Sequence, residues 1–367
     1  MPQPKSKLNR KHAIAGAIFL ALAFVFIAWR MHITPYELPS PSNGEGQGEV
    51  SVDPTVRDVL TGLQAFEAAT TLPRVYAVMI DNAVDAWPPS GIDKAFLVIE
   101  APVEAGIPRL EAFFSADATV EKIGPVRSAR PYFVDWANEF DALYVHVGGS
   151  NDALAKILST GAFDLNEFWN GDFFWRAKDR FAPHNTYTST ELLAAAVEKA
   201  VAKDRAPEVL YGVWKFKGGA VKADQPVIAS EAKQSQVSVR FNSDLYVATW
   251  THDPATNTYL RSQGGYKTVM ADGVRITANN VAVIVTDVSV LDAVGRRKVR
   301  TTGEGKAWVL QDGATIDATW KKPSASERLA FYDKDGNEIA MNAGNTWIEV
   351  SEDEGDVTLI NSTATTK

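Results

Sequence analysis

Arg127, Ser128 and Arg130 follow a Gly124-Pro125 turn and stand directly before Pro131. Proline in this setting opens a helix at its first position, so the spacing places two guanidinium groups beside the unsatisfied N–H groups of a helix N-terminus. That combination suits an anion, because a guanidinium fork matches carboxylate or phosphate and the helix end adds partial positive charge. A second reading of the same residues is a fold-holding network in which the arginines pair with Asp135, Glu139 or Asp141.

Three further clusters carry chemistry. An apolar run over residues 142–147 ends in His146-Val147-Gly148-Gly149-Ser150. Ligands of open α/β sheets sit beyond the carboxyl ends of strands, where glycine admits close approach, so His146, Gly148 and Gly149 are candidate ligand contacts; the plainer reading of His146 is a neutral core histidine bonded to a backbone carbonyl. Residues 174–187 supply Arg176, Lys178, Arg180, His184 and Asn185, and Pro183-His184-Asn185 displays an imidazole beside an amide, fit for proton transfer or hydrogen-bond recognition. Asp81 and Asn82 either join that site or form a turn. Glu100 and Glu104, where a strand gives way to a Pro/Gly turn, are either a general acid/base pair or partners for the arginines.

These groups need elements to hold them. Apolar runs over residues 75–80, 95–100, 110–114 and 142–147 read as strands, and residues 131–140, 151–157 and 190–202 as helices. Asp53-Pro54 followed by Val56, Val59, Leu60, Leu63 and Phe66 reads as a short opening helix. Beyond residue 207, β-branched and aromatic residues dominate and turn pairs such as Asp312-Gly313 and Asp335-Gly336 recur. Nine strands are expected there, over 237–241, 245–250, 258–262, 281–287, 298–302, 307–311, 315–320, 330–333 and 346–350, with residues 218–236 as an exposed insertion. The fold class is therefore an α/β layered N-terminal domain, a sheet with helices over residues 54–206, followed by a β-rich C-terminal domain over 207–361 and a tail over 362–367.

Before that lies an apolar run over residues 13–29, preceded by Lys5, Lys7, Arg10 and Lys11 and closed by Arg30. The flank predicts residues 1–12 as a basic cytoplasmic N-terminus, 13–30 as a single transmembrane signal anchor in the cytoplasmic membrane, and 31–53 as a Pro/Gly-rich linker to domains outside it. A cleaved signal peptide is the rival, since Ala21-Leu22-Ala23 fits a small-x-small site. Composition narrows the chemistry: across 367 residues there is no cysteine, and the five histidines are scattered. Thiolate chemistry is excluded, and no metal and no cofactor are expected. A net charge of −8 speaks against nucleic acid as a partner.

Taken together, Met79-Ile-Asp-Asn82, Pro89-Ser-Gly91, residues 123–132, 144–150 and 182–187, with Tyr259-Leu-Arg-Ser-Gln-Gly-Gly265, Trp320-Lys-Lys322 and residues 344–349, resemble the YerB-like family, known as domain of unknown function 3048. The resemblance covers residues 72–350. It implies an extracytoplasmic bacterial protein with a layered α/β part and a β-rich part, and implies no established activity. Two departures stand out. Family members are typically lipoproteins, but without cysteine this chain must be anchored by residues 13–30; and Trp87 stands before Pro88 where the family commonly has arginine.

The expected function is a membrane-anchored cell-envelope binding module. Arg127, Ser128, Arg130, Arg176, Arg180, His184 and Asn185 would recognise an anionic cell-wall polymer or an envelope protein. The alternative is a hydrolase acting on a cell-wall substrate, with Ser128 or water as nucleophile, His184 or His146 as base, and Asp81 or Glu100 as orienter or acid. No nucleophile elbow is present, and the sequence leans away from an enzyme.

Overall fold

The computed structural model describes residues 56–65, 69–218 and 233–363. The predicted span 13–30 and its flanks lie outside them; among the described residues no helix is long and apolar enough to cross a membrane.

The N-terminal half carries sheet and helices: β1 (Val75–Ile80), β2 (Leu97–Pro102), β3 (Pro108–Ser115), α1 (Pro131–Asn138), β4 (Leu143–His146), α2 (Asn151–Thr160), β5 (Asp164–Asn166), β6 (Trp175–Arg176), β7 (Thr186–Tyr187) and α3 (Thr190–Val201). The C-terminal half is β-rich: β8 (Lys233–Arg240), β9 (Val247–Asp253), β10 (Thr258–Gln263), β11 (Tyr266–Lys267), β12 (Thr277–Ala278), β13 (Asn280–Val285), β14 (Val288–Val290), β15 (Arg297–Val299), β16 (Gly303–Gln311), β17 (Ala314–Lys322), β18 (Ala330–Tyr332), β19 (Thr346–Ser351) and β20 (Val357–Thr363).

The two halves share one sheet. Ten strands run in the order β18-β17-β16-β13-β19-β2-β3-β1-β4-β5, and the join is the parallel pair β19–β2, with Thr346 opposite Leu97 and Glu349 opposite Glu100. A sheet of this width needs both faces covered. On one face α1 contributes Tyr132, Phe133 and Trp136 to a core with Phe113, Tyr144 and Ile348. On the other, the six-stranded sheet of β8–β12 and β20 packs Trp250 and Tyr259 toward Trp308 and Trp347, and α3 adds Leu193 and Ala196.

Two expectations are corrected. Over residues 56–65 there is no helix. Asp58 instead caps a tight turn, its Oδ1 accepting from the N–H groups of Leu60 and Thr61, while Gly62 adopts φ +64° and Arg57 bridges to Gln64. The side-chain caps and the left-handed glycine favour a turn over the apolar periodicity. In the expected insertion, residues 233–236 are the start of β8 and pair with β20; Ser235 is buried there.

Candidate functional site

The segment 123–130 threads through the core edge and gathers the motif pieces. Ile123 bridges Thr188, Val126 bridges Ile80, and Ala129 bridges Gly149. Arg127 N–H donates to the Met79 carbonyl, and Val147 N–H to that of Arg127. The end of β1, the turn after β4 and the β6–β7 hairpin therefore meet on one strand-like segment, although they are far apart in sequence.

At the meeting point Asp81, 4 % exposed, is held by its own turn, Oδ1 accepting from Ala83 N–H at 3.0 Å. Its Oδ2 lies 2.7 Å from His184 Nδ1 and 3.1 Å from Arg127 Nε. Arg127 makes no side-chain hydrogen bond to the described residues, the Asp81 approach lacking hydrogen-bond alignment. Beside it opens a cavity of about 480 Å³ lined by Asp81, Glu104, Arg109, Arg127, Ser128, Arg130, Gly149 and Arg296, among others.

Arg109, on β3, is 6 % exposed and has no carboxylate in ion-pair contact among the described residues. Its Nη1 donates to the Ser128 carbonyl at 2.8 Å and to Ser128 Oγ at 3.3 Å. Burial pulls this guanidinium down to about 10 and the neighbouring Arg130 charge adds to the effect, while Asp81 and Glu104 act against it. Arg130 is committed: its Nε and Nη2 grip the two oxygens of Glu104 at 2.6 and 2.7 Å, and its Nη1 reaches Ser128 Oγ at 3.0 Å. Burial raises the Glu104 carboxyl, but the Arg130 fork outweighs it and holds the group below its usual range.

The other predicted residues divide. Asn185 Oδ1 accepts from Arg176 Nη1 at 3.0 Å, and Arg176 Nη2 binds Glu167 at 2.9 Å, which stiffens the hairpin. Arg180 donates to the Ala86 and Pro88 carbonyls at 2.5 and 2.6 Å, tying the His184 loop to the loop after β1. These two arginines are spent on structure and do not line the cavity.

His146 is fully buried, its Nδ1 at 2.7 Å from the Gly148 carbonyl and its Nε2 at 3.4 Å from Asp164; it is a core residue, because β4 points it under the turn rather than into the crevice. Gly148, at φ +59°, leaves no room for a Cβ against Phe168, and its N–H donates to Asn166 Oδ1 at 3.0 Å. Only Gly149 of the pair reaches the cavity.

Glu100 and Asn82 face the opposite side. Glu100 is fully buried and receives Arg261 Nη2 at 3.0 and 2.7 Å and Asn82 Nδ2 at 2.9 Å. The reason is strand alternation, since β2 turns Glu100 toward the second sheet. Asp135, Glu139 and Asp141 do not pair with the motif arginines: Asp135 meets Lys156, Glu139 meets Lys322 and Arg328, and Asp141 caps Leu210 N–H. Among the described residues no group of histidines and carboxylates could hold a metal.

Sequence reasoning missed Arg109 and Arg296. Arg109 and Glu111 are charged residues two apart in a strand that is otherwise apolar up to its closing Ser115, a pattern that marks a polar stripe on a buried face.

A model for "Protein of unknown function (DUF3048) N-terminal domain" matches residues 60–203, and its C-terminal domain counterpart matches 237–348. The protein named "Putative lipoprotein YerB" of Bacillus subtilis (strain 168) is 32% identical over 298 residues, covering 80% of this chain and 86% of that one. The crystal structure of YerB protein from Bacillus subtilis superposes with a TM-score of 0.71 at 30% identity, over 83% of this chain and 99% of that one.

Proposed function

The chain belongs to the DUF3048 family of proteins of unknown function, and from that premise we propose that it is an extracytoplasmic, membrane-associated protein that binds an anionic group of the cell envelope in the Arg109–Arg127 cavity. The name of its Bacillus subtilis relative supports the location, and residues 13–30 are the anchor in this reading, since the chain has no cysteine to acylate.

One observation carries the binding reading. A desolvated guanidinium without an ion-pair partner, Arg109, and a second with no side-chain hydrogen bond, Arg127, border one cavity. A buried charge without a close counter-ion is costly; Asp81 and Glu104 act on Arg109 without an ion-pair contact and Arg127 meets Asp81 at one nitrogen alone, so an anion seated between the two guanidinium groups adds partners to both. Asp81, which lines the cavity, then orients Arg127 and is itself held by His184, which does not line it.

The hydrolase alternative rests on a specific contact too: the Asp81–His184 pair is the orienter–base arrangement that general-base chemistry uses. Binding is preferred because Ser128 Oγ is occupied by two guanidinium donors rather than by His184. Co-sedimentation with a purified anionic wall polymer tests the proposal. Wild type is expected to pellet with the polymer and Arg127→Ala to stay in solution; equal, negligible binding by both overturns it.

A further inference from the structure

The hairpin of β14 and β15 belongs to the C-terminal half but stands over the N-terminal half's site. Its tip packs on the turn Glu104–Gly106: a Cβ at Gly295 would lie 3.3 Å from Ala105 N. Val294 and Arg296 line the Arg109–Arg127 cavity from this side. A second cavity of about 560 Å³ follows, between the hairpin strands and helices α1 and α2, lined by Pro131, Asp135, Asp152, Lys156, Arg297, Lys298 and Arg300 among others.

Residues lining the two cavities are neighbours in sequence at three places. Arg130 lines the first and Pro131 the second; Asn151 the first and Asp152 the second; Arg296 the first and Arg297 the second. What stands between them is the Arg296–Asp152 pair, whose atoms are 3.8 Å apart with side chains 36 % and 59 % exposed. Exposed pairs at that distance contribute little, and the firm hold on Arg296 comes instead from Asp292 on its own hairpin, at 2.5 Å.

The charge also continues. Residues 296–300 read Arg-Arg-Lys-Val-Arg in a protein of net charge −8. Lys298 is exposed and makes no ion pair among the described residues. Arg297 is poorly matched, with its Nη1 3.6 Å from Glu352 and its buried Nε without a partner. Arg297 and Lys298 thus repeat the feature of the first cavity, whereas Lys156 and Arg300 are paired with Asp135 and Asp287, which line the second cavity too.

We propose that the two cavities form one trough whose ligand is a linear polyanion with repeated phosphate groups, one phosphate seated at Arg109 and Arg127 and the chain continuing past Arg296 to Arg297 and Lys298. Phosphate is the chemistry named because guanidinium and ammonium donors approaching from several directions match a tetrahedral anion with several acceptor oxygens. This inference rests on the anion-binding reading of the first cavity and adds the length and polymeric character of the ligand.

Titration of the full chain with pyrophosphate and with long-chain inorganic polyphosphate separates the two. Wild type is expected to bind both, the long chain more tightly. Lys298→Glu should weaken the long chain about tenfold, the size of one charged contact, and leave pyrophosphate unchanged. Lys334→Glu, the same charge change in an exposed turn outside both cavities, should alter neither beyond a small general effect. Arg127→Gln should weaken both. If wild type binds pyrophosphate and Arg127→Gln does not, yet Lys298→Glu equals Lys334→Glu on the long chain, the trough is wrong and the first cavity stands alone. If wild type binds neither probe, the anion-binding reading itself fails.

Discussion

Asp81 uses both carboxylate oxygens, one for its own turn and one for His184 and Arg127, while Arg130 spends its fork on Glu104. The contrast assigns different costs to the arginines. Replacing Arg261 by Met leaves Glu100 buried and uncompensated and should cost about 3–5 kcal/mol in urea unfolding. Replacing Arg109 by Met removes a buried charge that lacks an ion-pair partner, so the loss of its Ser128 bonds should be nearly offset, with a net change within about 1 kcal/mol. A loss for Arg109→Met as large as that for Arg261→Met would mean that Arg109 is structural.

The buried acids give a pH dependence of definite sign. Glu111 is fully buried with neither carboxylate oxygen hydrogen-bonded, and burial, then the nearby Glu139 and Asp135, raise it well above its usual range. Glu349 is raised likewise, by burial and then by Glu100. A raised acid holds its proton in the folded state. The stability it contributes is complete below the unfolded-state value of about 4.3 and is lost as pH rises toward the folded-state value. Glu111→Gln should remove one such proton, so its stability relative to wild type should climb with pH by about 1.4 kcal/mol per unit above pH 5. Parallel stability curves for the two proteins would contradict this.

At the scale of elements, α2 begins with Ser150, whose Oγ accepts from Ala153 N–H at 3.2 Å, so Ser150→Ala should cost about 1 kcal/mol in chemical denaturation. No change would show that the cap is dispensable. Runs such as Val75–Ile80 and Thr346–Ser351 were legible as strands because buried strands of a covered sheet are continuously apolar. The opening helix was misread because Asp58 and Gly62 outweigh the spacing of Val59, Leu60 and Leu63. Within the site, the turn at Arg127–Arg130 and its approach to Gly149 were legible, since helix and strand are consecutive. Asp81 was offered as a partner of the His184 site or as a turn former, and it is both; the joining of Glu100 to Arg261, 161 apart, was not legible. Pairings across elements depend on register, which a single sequence does not display.

At the scale of the whole molecule, β19 lies between β2 and β13 in one sheet, and the buried Glu100–Arg261 pair ties that sheet to the six-stranded one. The folded region should therefore unfold in a single calorimetric transition, and a fragment ending at residue 206 should expose the long edge of β2 and self-associate. Two separated transitions, or a monomeric, folded fragment, would contradict this. Thermal unfolding of the full chain with and without pyrophosphate tests the proposed anion binding at Arg109 and Arg127 most directly. Saturating ligand at about one hundred times its dissociation constant contributes about 2.7 kcal/mol, so the wild-type Tm should rise by several degrees while that of Arg127→Gln stays within about a degree of its ligand-free value. An equal rise in both proteins, or none in either, would contradict the account.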